Sequence, residues 1–203
     1  MSNNATKTGG ISKNTLIIGA IVAVIALWAI STYNGMVNKE EGATTAWAKV
    51  QSAYQRRADL IPNLVEVVKG YASHEKETLE GVINARAKAT SITVDPENLT
   101  PEKLQEFQAA QGELSQALGR LMVVQEQYPE LKANENFKDL QVQLEGTENR
   151  INEERNKFND AVQDYNLKIR KFPGSLLAGI FGFDKMAKFE ADAEAQKAPD
   201  VKF

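Results

Sequence analysis

The sequence predicts an all-α protein, in which an amino-terminal transmembrane helix precedes an elongated antiparallel helical bundle of three long helices and a shorter carboxy-terminal helix. Two observations indicate this class. Residues 15–33 contain no charge, and large apolar side chains after them recur at alternating steps of three and four, which is the spacing of one face of a helix. No alternation typical of strands persists long enough to predict a sheet.

The composition fits one folded unit. Of the 203 residues, 42% are hydrophobic and 25% are charged, which is enough to bury a single core. The net charge of −3 becomes −5 for residues 33–203, because Lys7 and Lys13 precede them. An acidic domain argues against nucleic acid as a partner. The chain has no Cys, which excludes disulfides, thiol catalysis and Cys-ligated metal sites.

Residues 1–14 form a polar tail, and the apolar run 15–33 after it predicts a membrane anchor. At about 1.5 Å per residue, its 19 residues nearly cross a hydrocarbon layer of roughly 30 Å. Trp28 and Tyr33 occupy positions where aromatic residues anchor a span at the membrane interface. Two other interpretations stay open, namely a signal peptide cleaved before Thr32 and a buried core helix.

The flanking charges bear on orientation. Lys7 and Lys13 precede the apolar run, whereas Lys39 follows it beside two glutamates. The positive-inside rule therefore favours a cytoplasmic amino terminus and an exported bundle.

Three long helices are predicted after the anchor. The first covers residues 34–89, the second covers 101–128 and the third covers 134–172. Thr100 is the predicted N-cap of the second helix and is followed by proline at the first helical position. The first helix carries the clearest seam of large side chains, which comprises Trp47, Val50, Tyr54, Ile61, Leu64, Val68 and Tyr71.

Residues 173–203 contain an apolar segment, a short helix and a tail. The segment from Leu176 to Phe183 has three interpretations: a part of the core, a membrane-surface element, or a docking site for a partner. The Ala-rich pattern over residues 184–197 predicts the short carboxy-terminal helix.

Polar residues interrupt the apolar seams, and paired polar groups inside a bundle can fix its register. We expect Arg57 to form an ion pair with Glu148 or Glu154. In the alternative interpretation, Arg57 and Arg155 bind an anion together. The predicted buried polar residues are Arg57, Gln111, Gln125, Glu148 and Arg155.

Helix lengths predict self-association. The second helix measures about 42 Å, whereas the first helix extends for about 78 Å from residue 38 to residue 89. If the second helix returns toward the membrane and the third runs outward, Trp47, Val50 and Tyr54 face water and form a homo-oligomer interface. A break in the first helix at Gly70 would instead close the bundle within one chain.

No motif predicts catalysis, a metal or a cofactor. A di-iron site in a helical bundle needs two Glu-x-x-His motifs, but His74 is the only histidine and the residue three before it is Tyr71. A lone histidine among charged neighbours is more often solvated than a ligand. We therefore expect a protein that is not an enzyme.

Several ordered motifs resemble the LemA family of membrane-anchored bacterial helical proteins. They are Tyr33-Asn34, Ala46-Trp47, the run Arg57 to Val65, the run Gly70 to Glu75, Ala85-Arg86-Ala87, the run Glu145 to Ile151, Tyr165-Asn166 and Phe172-Pro173. The resemblance implies an amino-terminal membrane segment and a bundle of four-helix type, and the family has no established enzymatic activity.

Together, these features predict a non-catalytic interaction or scaffold protein that self-assembles at the bacterial membrane. We expect a single-pass protein with a periplasmic bundle, whose partners are the membrane, further copies of itself and other membrane proteins. The alternative is a membrane-tethered sensor or binding module that captures a small anionic ligand or peptide.

Overall fold

The computed structural model describes residues 13–96 and 99–190, and these residues confirm the all-α class. No strand occurs within these two ranges. The helices in chain order are α1 (Lys13–Tyr71), α2 (Lys76–Ser91), α3 (Pro101–Val124), α4 (Pro129–Ala133), α5 (Glu135–Arg170) and α6 (Gly174–Phe181).

Helix α1 is continuous for 59 residues and belongs to two environments. After Lys13 and Asn14, the helix is apolar on all sides, and the large side chains from Leu16 to Ile30 are all exposed. From Met36 onward, one face of the same helix is buried in the bundle. Pro62 lies inside the helix without ending it. The apolar span and the bundle are therefore joined without a linker.

The predicted single helix over residues 34–89 is interrupted. Helix α1 ends at Tyr71, residues 72–75 form a turn, and α2 folds back along α1. Two hydrogen bonds show the reversal, because the Nε of Arg86 donates to the carbonyl of Ala58 at 2.7 Å, and the indole nitrogen of Trp47 donates to the carbonyl of Val94 at 3.2 Å. The reversal buries an apolar face of α2, formed by Leu79, Val82 and Ala89.

This reversal also inverts the predicted directions of the later helices. Helix α3 runs in the same direction as α1, since Phe107 lies beside Trp47 and Gln111 lies beside Arg57. Helix α5 runs antiparallel to α1. At one end of α5, Asn134 donates to the Tyr71 hydroxyl at 2.9 Å.

At the other end, Lys39 pairs with Asp164 at 2.7 Å. The 36 residues of α5 equal the length of α1 from Met36 to Tyr71, about 54 Å in each case. Helix α5 therefore covers the whole part of α1 that lies in the bundle, which the predicted orientation did not allow.

Because α5 returns toward the membrane end, Trp47, Val50 and Tyr54 are buried within one chain. The prediction that they face water at an oligomer interface is wrong. The indole of Trp47 contacts the rings of Phe107, Phe158 and Phe189 at centroid distances of 5.4, 5.3 and 5.8 Å. We call these four residues the aromatic cluster.

Helix α3 begins where the sequence predicts but ends earlier. Thr100 caps α3 as predicted, because its hydroxyl accepts from the backbone N–H of Lys103 at 3.4 Å. Helix α3 ends at Val124 rather than at residue 128, and the predicted stop at Pro129 instead begins α4.

The short helix predicted for residues 184–197 is absent from its described part. Residues 183–190 form a non-helical segment, which we call the strap, and residues 191–203 lie outside the described range. The helix near this terminus is α6, which begins ten residues earlier, at Gly174.

The burial of Trp47 predicts a large loss of stability in Trp47→Ala. Removal of a fully buried Trp costs about 3–5 kcal/mol, whereas a change at an exposed position costs less than about 0.5 kcal/mol. Val142→Ala is the control, since that side chain is 67% exposed on α5. Urea denaturation of both full-length variants in mild detergent, followed by circular dichroism, measures the difference. Equal midpoints would show that Trp47 is not a core residue.

Candidate functional site

A buried arginine joins three helices at mid-height in the bundle. Arg57 of α1 is only 1% exposed. Its Nη1 donates to the Ser115 hydroxyl and to a carboxylate oxygen of Glu148, both at 2.8 Å. Its Nη2 donates to the Gln111 side-chain oxygen at 2.7 Å. The guanidinium also lies 5.2 Å from the centre of the Tyr54 ring.

This geometry confirms the ion pair expected for Arg57, with Glu148 as its partner. Both terminal nitrogens of Arg57 already have acceptors, whereas its buried Nε has no hydrogen-bond partner among the described residues. Arg155 does not converge on it, because its guanidinium lies 4.7 Å from the centre of the Phe189 ring. The arginines expected to share an anion thus have separate structural partners.

The remaining predicted polar positions are buried to different extents. Gln111 is buried and also donates to the carbonyl of Ala89 at 3.2 Å. Gln125 and Arg155 are half-buried, and the side chain of Glu148 is 46% exposed. Glu154 is the fully buried carboxylate on α5, although the sequence placed Glu148 on the buried face.

Glu154 lies next to two cations of its own helix. One of its oxygens accepts from Arg150 at 2.8 Å and from Lys157 at 3.3 Å. Both cations reach it by the three- and four-residue spacing of helix neighbours. Its charge is therefore compensated within α5.

The pairing of Arg57 with Glu148 predicts measurable coupling in a double-mutant cycle. We expect Arg57→Met and Glu148→Gln to couple by about 1–2 kcal/mol, because each variant removes the same charge-assisted hydrogen bond. Glu145→Gln is the matched control, since Glu145 is exposed one turn away and accepts only from Gln141. Unfolding free energies from urea titrations give the coupling. Equal coupling for Glu145 and Glu148 would contradict the assigned pair.

Two asparagines of α5 hold the backbone of the strap. The side chain of Asn166 donates to the Met186 carbonyl at 2.9 Å and accepts from the Met186 N–H at 3.0 Å. Asn159, two turns earlier, makes the same pair of bonds to Phe189 at 3.1 and 2.9 Å. The strap therefore runs antiparallel to α5, and it carries Phe189 into the aromatic cluster.

These asparagines are functional positions that sequence reasoning did not identify. Only Asn166 stands out in the sequence, as part of the Tyr165-Asn166 motif. Their seven-residue spacing puts both side chains on one face of α5. That spacing is a usable signal, but it does not reveal which backbone segment the amides bind.

Tyr165 links the strap to α1 near the membrane end of the bundle. Its hydroxyl donates to the carbonyl of Asp184 at 2.9 Å, and a carboxylate oxygen of Glu40 lies 3.4 Å away. Burial raises the pKa of this phenol above its usual range, and the negative charges of Glu40 and Asp184 raise it further. Tyr165 therefore stays neutral and keeps its donor.

Helix α6 packs against α1 where the apolar span ends. Tyr33 makes edge contacts with the rings of Phe181 and Phe183, at centroid distances of 5.0 and 5.6 Å. Gly174, at the start of α6, lies so close to α1 that an added Cβ would stand 3.1 Å from the Met36 methyl and 3.6 Å from Thr32. A larger residue here would require the Met36 side chain to shift by a few tenths of an ångström.

The apolar span itself has the properties of a membrane anchor. Helix α1 alone, among the helices described, is long and apolar enough to cross a bilayer, and none of its most apolar window is covered by the rest of the chain. A signal sequence has the same properties. Trp28 and Tyr33 are partly exposed toward the end of the apolar run.

The described ranges contain no group of three or more His, Cys, Asp or Glu side chains arranged to hold a metal. His74 is exposed in the turn between α1 and α2.

Comparison with known proteins identifies the family. A model of the LemA family matches residues 46–203. Magnetosome protein MamQ 2 of Paramagnetospirillum magneticum is 27% identical over 196 residues, which cover 87% of this chain and 72% of that protein. Magnetosome protein MamQ of Magnetospirillum gryphiswaldense is 28% identical over 190 residues, which cover 83% and 70%. Protein LemA of Metamycoplasma hominis is 25% identical over 158 residues, which cover 78% and 68%.

The family model begins at the residue before Trp47 and extends to the end of the chain, so it includes the Arg57 network, the strap and α6. Because this match covers far more than half of the sequence, the chain belongs to the LemA family.

Proposed function

We propose that this protein is a non-catalytic scaffold, anchored in the bacterial membrane, which associates with further copies of itself. The observation that carries the proposal is the continuity of α1 from the exposed apolar span into the core of the bundle. A flexible linker would let a domain move independently of its anchor, whereas a continuous helix makes the two move together. Such a joint suits a protein that holds other components at a fixed position on the bilayer.

The interior of the bundle is filled by side chains, which suits a rigid structural element rather than a protein that encloses a ligand. Its interior is filled by apolar clusters on either side of the Arg57 network. The strap covers the core in the half of the bundle nearer the apolar span, where its Phe189 is buried. Because its interior is filled, we expect the protein to act through contacts of its outer surface. The relatives named magnetosome proteins are named after a cellular structure rather than a reaction, which is in keeping with a scaffold.

Self-association follows from the anchor and not from the Trp47 seam. Because each chain completes its own core, copies would meet through their outer surfaces or their apolar spans. Confinement to a membrane raises the effective concentration of these surfaces, so weak contacts suffice. The charges before and after the apolar span support an exported bundle, with Lys7 and Lys13 on the cytoplasmic side.

Energy transfer between labelled copies in liposomes tests self-association. The chain has no Cys, so Val142→Cys supplies one exposed labelling site on α5. Donor- and acceptor-labelled full-length protein is reconstituted together at a low protein-to-lipid ratio. We expect transfer above the level calculated for random positions, and we expect excess unlabelled protein to reduce it.

Transfer at the random level, with no response to unlabelled protein, would contradict the proposed assembly. A second labelling site at Ile83→Cys on α2, also exposed, guards against a label that blocks the contact.

A further inference from the structure

Helix α6 presents an apolar face that nothing in the described part of the chain covers. Leu176 and Ile180 are 60% and 73% exposed, and Phe181 is more than half exposed. Phe172, just before the helix, is also exposed. The opposite face is buried, with Ala178 in the small cluster formed with Met36, Tyr165 and Ile169. Both faces of α6 are therefore apolar, and one is buried in the protein while the other is exposed.

The position of this face points to the bilayer as its occupant. Helix α6 contacts Thr32, Tyr33 and Met36, which are the residues where the apolar span of α1 ends. Tyr33 and Trp28 are aromatic residues of the kind that lie at headgroup level. An apolar helix face fixed at that height is continuous with the lipid-facing surface of the anchor. Short helices with one apolar face lie in the interface plane in this manner.

The charge around α6 complements an anionic bilayer. Residues 164–188 hold five cations and two carboxylates, a net charge of +3 in a chain whose net charge is −3. Inclusion of Lys39, Glu40 and Glu41 of α1 lowers this local charge to +2. The five cations are Lys168, Arg170, Lys171, Lys185 and Lys188.

A groove between α3, the end of α5 and the strap offers room for headgroups. Its volume is about 780 Å³, and its lining includes four cations, Arg170, Lys171, Lys185 and Lys188, and one carboxylate, Glu190. Arg170, Lys171 and Lys185 are exposed. Cations next to a membrane span attract anionic phospholipids.

We propose that α6 is a second membrane contact, with Leu176, Ile180 and Phe181 inserted among the upper acyl chains and with Arg170, Lys171 and Lys185 bound to anionic phospholipid headgroups. This proposal rests on the anchored orientation of the proposed function. Two contacts at one end of the bundle, α1 through the bilayer and α6 along its surface, fix the tilt and height of the bundle. A single helix alone would leave the bundle free to tilt.

Lipid quenching of single-Cys labels tests the contact in the full-length protein. A polarity-sensitive fluorophore is placed on Ile180→Cys in α6, with Val142→Cys as the exposed control and Ile21→Cys as the anchor control. Each variant is reconstituted in bilayers of phosphatidylcholine, alone or with about 30% phosphatidylglycerol. Spin-labelled lipids with the label high on the acyl chain act as the quencher. We expect quenching at Ile180 and at Ile21 but none at Val142.

The controls separate the possible failures. An Ile180 label that behaves like the Val142 label, while the Ile21 label is quenched, overturns the proposal but leaves the anchored scaffold intact. Absence of quenching at Ile21 overturns the anchor itself. In a third outcome, the Ile180 label reports an apolar environment but is not quenched by the spin-labelled lipids, and its fluorescence changes with the protein-to-lipid ratio. That result shows that a second copy covers α6, and it also overturns the proposal.

Charge reversal tests the headgroup part. In the Ile180→Cys background, Arg170→Glu with Lys171→Glu should abolish the increase in quenching that phosphatidylglycerol causes. The matched control is Lys69→Glu with Lys138→Glu, two exposed cations at the opposite end of the bundle, and it should retain the increase. An equal response in both pairs would show that net charge, rather than the cations beside α6, governs the effect.

Discussion

The rest of the structure depends on one constraint, namely that a single helix continues from an exposed apolar span into the core of the bundle. The turns from Leu16 to Ile30 are apolar on every side, as a helix that crosses a bilayer must be, whereas the later turns have only one apolar face, which the protein covers. The change occurs near Met36, within the same run of backbone hydrogen bonds. The bundle forms around the part of α1 beyond that point, and α6 also contacts Thr32 and Tyr33 just before it.

This constraint explains why the bundle needs α5 and the strap. Helix α5 covers α1 from the turn after Tyr71 down to the end of the apolar span, but α2 and α3 together do not reach that far down. The space they leave beside Trp47 is filled by Phe189, which Asn159 and Asn166 help to position through the strap. The strap, which has no regular secondary structure, thus completes the core in the half of the bundle nearer the apolar span.

Local signals in the sequence predicted the anchor, the all-α class, the N-cap Thr100 and the ion pair of Arg57. The reversal at residues 72–75 corresponds to the alternative of a break at Gly70, which the sequence did not favour because no proline or strong cap marks it and the gain comes from burying Leu79 and Val82 against other helices. The preference for an unbroken helix inverted the directions of α3 and α5 and left Trp47 wrongly exposed. The predicted ion pair of Arg57 was correct in spite of this error. The position of a carboxylate along the length of α1, rather than the direction of its helix, decides whether it meets Arg57.

The distance across the joint between the anchor and the bundle tests the central claim most directly. Spin labels on Ile30→Cys and Asp59→Cys are 29 residues apart on exposed positions of α1, which corresponds to about 44 Å in a continuous helix. Pulsed electron spin resonance on the full-length protein in lipid nanodiscs should give one narrow distribution near that value. A broad distribution centred at clearly shorter distances would show that the anchor and the bundle are joined by a flexible segment, and would contradict the claim.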